Sequence, residues 1–305
     1  TCEEKFCMKK ILVIGSLNMD QVTKVHHTPK VGETVVGNGL ELIAGGKGAN
    51  QAVAMGKLGA DVTMIGMVGT DDFASQLLDN LKQMGVTDKV MKTDKAPTGT
   101  ALIMVNESAD NSIVVIAGAN GLLKPEMIKP SWFDDIDIVV LQLEIPLDTV
   151  AEIIKQAKAR NIYTVLNPSP ATHLDEDLLK DVDLLVVNET EFESLSGIAF
   201  EAEESLDKGY DNLKVKEVVV TLGTKGSWYY DKASKYYVPA LKVDAIDTTA
   251  AGDSYMGALV CEISKGVPIN EAMEFATKVA AYTVTKLGAQ SSLPTLEDLK
   301  ERGLI

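Results

Sequence analysis

The segment Asp247-Thr-Thr-Ala-Ala-Gly-Asp253 sets two carboxylates around a run of small residues and opens an apolar helical stretch over 254–265. With only small side chains between them, backbone N–H groups can approach a ligand closely. The first turn of a helix carries unpaired N–H donors at the positive end of its dipole, and together these make an anion site. Asp253 stands beside that site as a candidate proton acceptor. An anion cradle next to a base suits phosphoryl transfer to an alcohol, which is mainly positioning and charge stabilisation. A capped helix entry after a Thr/Ala turn has the same local pattern, so other segments must decide.

Gly45-Gly46-Lys47-Gly48-Ala49-Asn50-Gln51-Ala52 is the second cluster. A P-loop would need Gly at 41 and Ser or Thr at 48, where Glu41 and Gly48 stand, and the Gly37/Gly39 pair fails as a dinucleotide fingerprint because position 42 is Leu42. What remains is a glycine turn running into a helix. Lys47 donates, and the Asn50 amide both donates and accepts, a combination suited to a vicinal diol. Asn18 and Asp20 are two apart, so in extended chain they share a face and can bracket adjacent hydroxyls. Both are also common turn residues after a strand.

The elements that must hold these groups alternate. Segments 10–15, 61–68, 137–143, 162–166, 183–187 and 217–222 are apolar strand runs, and 49–57, 72–84, 147–160 and 189–195 are amphipathic helices between them. That order predicts an α/β fold with a doubly wound, mostly parallel sheet flanked by helices, whose ligands bind beyond the C-terminal strand ends. The candidate groups fall there: Asn18, Glu144, Asn188 and Gly223 each follow a strand. Segments 21–42 and 98–117 break the alternation, with β-branched residues and turn signals. They predict a small projecting β-sheet, a lid over the site or an ordinary pair of surface hairpins. Segment 231–238 reads as an antiparallel edge and 270–287 as a long buried helix ending at Gly288. No repeat or linker divides the chain, so 1–305 is expected to be one domain.

Composition narrows the function classes. The chain has 305 residues, 46% hydrophobic and 24% charged, with no apolar run near the roughly 20 residues of a membrane span. A net charge of −15 argues against nucleic-acid and anionic-membrane partners, so a bound polyphosphate must be held by local donors and metal ions. Cys2, Cys7 and Cys261 show no metal-type pairing, which predicts a reducing cytoplasm. Met8-Lys9-Lys10 reads as a natural start, with residues 1–7 a cloning remnant or an idiosyncratic extension.

Gly15-Ser-Leu-Asn-Met-Asp20, the glycine run, Asn188-Glu-Thr-Glu191, Thr221-Leu-Gly223 and the 247–253 segment follow one another in the order and spacing of the PfkB carbohydrate kinase family. The glycine run together with Asn18 and Asp20 resembles its ribokinase branch, and the resemblance covers residues 8 to about 294. It implies ATP-dependent phosphorylation of D-ribose at its 5-hydroxyl. Asp253 would be the base and the N–H groups of Ala250, Ala251 and Gly252 the anion hole. Asn18, Asp20, Gly46, Lys47, Asn50 and Glu144 would bind the sugar, while Asn188, Thr221, Gly223 and Gly252 would serve ATP. Glu191 would act on Mg²⁺ through water, and Asp247, Thr249, Thr283, Lys286, Gly288 and Ser292 would form a K⁺ site. Adenine would lie near residues 243–246 and the 270–287 helix, where Thr277 and Lys278 stand in place of the His-Ala of many relatives. The family lid often also pairs two subunits, which implies a homodimer. A carboxylate is a weak base for an alcohol, but in a loose transition state the proton leaves late, so an oriented carboxylate suffices. The alternatives are a kinase of another sugar or of a nucleoside, and a non-catalytic sugar or nucleotide sensor. Intact Asp253, Gly252 and Glu191 argue against the sensor.

Overall fold

The structure, a computed structural model, describes residues 8–108 and 110–305, so the expectations for residues 1–7 lie outside the described residues. Its centre is a nine-stranded sheet in the order Lys235–Val238, Ser227–Tyr230, Glu217–Thr221, Leu184–Asn188, Tyr163–Leu166, Ile138–Leu141, Ile11–Ile14, Val62–Ile65, Thr87–Asp88. All neighbours are parallel except at the Ser227–Tyr230 and Lys235–Val238 edge. The central strands Ile-Leu-Val-Ile and Ile-Val-Val-Leu are buried at every position, because helices cover both faces.

Alternation along the strands divides the core. Ile11, Val13, Ile138 and Val140 pack with residues of the Lys47–Lys57, Ala251–Ser264 and Ile269–Thr283 helices. Leu12, Ile14, Val139 and Leu141 face the other way, onto the Leu147–Ala159 helix. The chain winds from Ile11–Ile14 to Val62–Ile65 on one side and later to Ile138–Leu141 on the other, so strand order reverses at Ile11–Ile14. A crevice outside the C-terminal ends of these strands is where an open α/β sheet takes its ligand.

The second sheet has the order Asn38–Gly45, Asn18–Lys24, Gly99–Val105, Asn111–Ile116. It matches the expected small β-sheet, but its strands reach further than 21–42: Asn18 and Asp20 lie inside a strand, not in a turn. Segment 61–68 is two strands, because the chain leaves the main sheet at Gly66 and pairs Met67–Val68 with Met91–Lys92. The 231–238 strand begins only at Lys235, since Asp231 Oδ1 accepts from Ala233 N and Ser234 N to make a turn. The 270–287 helix ends at Thr283: the Val284 carbonyl instead accepts Ile246 N at 2.7 Å and Asp247 N at 3.1 Å.

Candidate active site

The two loops that leave the switch point are tied together. Ser16 Oγ donates to Glu144 Oε2 at 2.5 Å, and the same oxygen accepts Lys47 N at 3.0 Å, the first N–H of the Lys47–Lys57 helix. Glu144 thus places a negative charge at a helix N-terminus, a favourable position. Gly46 precedes that helix with φ 88°, and a Cβ there would press on the backbone of Leu17 and Asn18. Only glycine fits such a left-handed, closely packed turn.

Asn18 and Asp20 enter from the small sheet. Leu17 N donates to Asn120 Oδ1, while Asn120 Nδ2 donates to Leu17 O and, at 2.8 Å, to Asn18 Oδ1. This turns the Asn18 amide so that its own Nδ2 is the end left to donate. Asp20 pairs across the sheet with Ile43 and Ala101, beside Gly45, where a Cβ would overlap its carboxylate. Burial, and then the charges of Glu144 and Asp253, push the Asp20 carboxyl up to about 7. Lys47 is the counter-charge: burial lowers its pKa, but Asp253, Glu144 and Glu191 outweigh burial and hold it above the usual lysine value.

Asp253 is buried in the first turn of the Ala251–Ser264 helix. Its Oδ2 accepts Asn50 Nδ2 and its Oδ1 accepts Gln51 Nε2, both at 3.0 Å. Ala250, the residue before the helix, is left-handed with φ 59°, an uncommon conformation for a residue with a Cβ and one that recurs at functional sites. Ala251 N donates to Thr248 O at 3.2 Å. An anion that takes this N–H must compete with that turn; Ala250 and Gly252 flank it on the cavity wall.

Two cavities share Thr221, Thr248, Ala251 and Gly252. The first, about 250 Å³, also holds Lys47, Asn188, Glu191 and Asp253. Asn188 and Glu191 form a capping box, Glu191 N donating to Asn188 Oδ1 and Asn188 N to Glu191 Oε2. The second, about 480 Å³, is lined by Gly223, Val243, Ala245, Tyr255, Thr277 and Ala280, so both segments expected beside adenine contribute to it, though Lys278 does not. Asn18, Asp20, Gly46, Asn50 and Glu144 line neither cavity; Asn50 and Glu144 are joined to the first through their bonds to Asp253 and to Lys47 N.

The expected cation corner is assembled as backbone. Asp247 Oδ1 accepts Thr249 N and its Oδ2 accepts Gly288 N, at 2.8 and 2.9 Å. Burial raises the Asp247 carboxyl, and these hydrogen bonds outweigh burial to leave it below the usual range. The Thr283 carbonyl accepts Lys286 N, and Ser292 Oγ donates to Ala289 O. Asp247 therefore caps this turn, and the corner holds its carboxylate beside the 283–288 backbone.

The family model for pfkB family carbohydrate kinases matches residues 8–296. The chain belongs to this family. The PfkB match is supported by a ribokinase of Staphylococcus aureus, 39% identical over 96% of this chain and 99% of the other. A deoxyribokinase of Salmonella typhi is 38% identical over 95% and 97%. The structure of Arabidopsis thaliana ribokinase complexed with ribose and ATP superposes with a TM-score of 0.90 at 30% identity, covering 96% and 98%. This PfkB protein is therefore an ATP-dependent sugar kinase. Asn167 and Gln142, which both bond the Gln51 amide beside Asp253, leave no mark in the sequence, because an amide's partners are set by tertiary contact. Only Asn120, two residues after Gly118 in a Gly-Ala-Asn turn, sits where turn chemistry is visible.

Proposed function

We propose that the chain transfers the γ-phosphoryl group of ATP to the 5-hydroxyl of D-ribose, giving ribose 5-phosphate, with Asp253 as base and the Ala250–Gly252 backbone as anion hole. The observation that carries this reading is the convergence of a buried carboxylate, an ammonium group and a strained helix entry on one cavity that continues into a larger, mainly apolar one. Asn18, Asp20, Gly46, Lys47, Asn50 and Glu144 hold the sugar; Asn188, Thr221, Gly223 and Gly252 hold ATP. The small sheet is the lid of a single kinase domain and excludes water, the competing phosphoryl acceptor. The same reading places the protein in the cytoplasm, as its few cysteines suggest.

Mg²⁺ suits the donor set. Among the described residues no cluster of three His, Cys, Asp or Glu could hold a metal alone. Mg²⁺ is usually held by one or two carboxylates, substrate phosphates and water, and Glu191 at the cavity wall offers that single carboxylate. The ion would neutralise charge on the transferring phosphoryl group. The oxygens of Asp247, Thr249, Thr283, Lys286, Gly288 and Ser292 suit a large, weakly hydrated cation, which would fix the backbone behind the anion hole. Replacing Na⁺ by K⁺ at constant ionic strength should raise kcat several-fold, and Asp247→Ala should remove the response. Equal rates in the two salts would count against this site.

The deoxyribokinase relative favours a second reading, transfer to 2-deoxyribose. A site that hydrogen-bonds a hydroxyl discriminates strongly against an analogue lacking it. ADP release across ribose, 2-deoxyribose, fructose and adenosine should give the highest kcat/KM for ribose; a clear preference for another sugar or for the nucleoside overturns the assignment.

The lid also suggests a homodimer. Leu40, Leu42, Leu102, Val114 and Ile116 are exposed. Gln21, Leu42, Leu102 and Val114 stand in one cross-strand row, one residue out of step with the Asp20 row and so on the opposite face. Light scattering should give twice the chain mass, reduced to the single mass by Leu102→Asp with Val114→Asp. A wild-type monomer at micromolar concentration rejects the dimer.

A further inference from the structure

We propose that Gln51 is a positioning residue of the kinase reaction, holding the carboxylate plane of Asp253 for proton transfer; this rests on the reading of Asp253 as the base. Gln51 is fully buried and lines neither cavity, so it acts through Asp253 and not on the substrate. Its amide is fully engaged. Nε2 donates to Asp253 Oδ1 at 3.0 Å and to Asn167 Oδ1 at 3.2 Å, and Oε1 accepts Gln142 Nε2 at 2.6 Å.

The direction of this chain is fixed from two ends. Asn167 Nδ2 donates to the Val186 carbonyl, so Asn167 must turn its oxygen to Gln51. Ionised Asp253 offers only acceptors, so it too requires the Gln51 NH₂ group. Both demands select one amide orientation, which then requires Gln142 to donate from its own NH₂. Reversing any one amide would set like groups against each other inside the core, where unpaired polar atoms are costly.

Asn50 precedes Gln51 on the same helix and holds the other carboxylate oxygen. Asn50 is also a proposed sugar ligand, so its amide has a competing partner when ribose is bound. Gln51 has none. It is the contact able to keep the base oriented throughout turnover, and a displacement near 1 Å at a reacting group can cost roughly a hundredfold in rate.

The test is a double-mutant cycle of Gln51→Leu with Asp253→Asn, reading kcat and both KM values, with ribose binding by calorimetry as the check on folding. Gln51→Leu should lower kcat at least tenfold while KM for ribose and ATP stay within threefold. In the Asp253→Asn background the same change should cost less than twofold, because the group it orients has gone. An equal loss in both backgrounds, read on the residual turnover of Asp253→Asn, overturns the proposal, and so does a Gln51→Leu kcat within twofold of wild type, whatever Asp253→Asn retains. A wild-type kcat in Asp253→Asn removes the base assignment itself and the proposal with it. Should Gln51→Leu not fold, Gln142→Leu decides by the same cycle: at least a threefold fall in kcat that disappears in the Asp253→Asn background supports positioning, and unchanged kcat overturns it.

Discussion

Asp253→Asn is expected to keep the fold and bind ribose while its turnover falls roughly a hundred- to ten-thousandfold, the usual weight of a general base. The change preserves shape and removes the proton acceptor. It also has a structural signature. Both oxygens of Asp253 accept from side-chain NH₂ groups, Asn50 and Gln51, so an asparagine must set its own NH₂ against one of them. A buried donor left without an acceptor costs on the order of 1–3 kcal/mol, which a thermal melt will show as a lowered Tm. Retention of a tenth of wild-type kcat would mean that another group takes the proton.

Asp20→Ala should weaken ribose binding roughly ten- to a hundredfold, the weight of a hydrogen bond to a charged group, and leave the KM for ATP within about twofold. The pH dependence sharpens this. In the free protein the Asp20 carboxyl is pushed up to about 7, by burial and then by Glu144 and Asp253, from an ordinary value of 3.8. The folded state therefore holds this proton more tightly than the unfolded chain, and the resulting stabilisation declines as pH rises from near 4 through about 7. Sugar hydroxyls that donate to Asp20 favour its ionised form. Ribose affinity should thus rise with pH, by up to about tenfold per unit, until it levels off above about 7. Titration calorimetry from pH 5.5 to 8 checks both claims. A flat profile in the wild type, or an Asp20→Ala protein that keeps the wild-type slope, contradicts the role given to Asp20.

Much of the frame was legible because it is written in single-residue patterns. Ile11–Ile14 and Ile138–Leu141 are uninterrupted apolar runs, and a strand buried on both faces has little other signature. The two-residue spacing of Asn18 and Asp20 puts them on one face of any extended segment, and the Asn18–Lys24 strand is that segment. What escaped depends on partners distant in sequence. The Glu203–Leu213 helix was not foreseen: it buries Leu206, Tyr210 and Leu213, but carries Gly209 at its centre. That glycine is needed because the Phe192 ring lies where a Cβ would stand. The early end of the Ile269–Thr283 helix follows from Ile246 and Asp247 bonding to the Val284 carbonyl, some forty residues away in the chain. In the site, the residue types that do chemistry are visible in sequence, while the amides that orient them are not: Gln51 adjoins the more evident Lys47 and Asn50 of the glycine run, and Gln142 lies near the end of an otherwise apolar strand run.

The product of a single preparative reaction tests the central claim most directly. With ribose, Mg²⁺ and ATP, phosphorus–proton correlation NMR of the purified product should show one phosphate coupled to the two C5 protons of ribose, formed in equal amount with ADP. A phosphate on any other ribose hydroxyl, or ADP formed without a sugar phosphate, would contradict the orientation of the 5-hydroxyl toward Asp253.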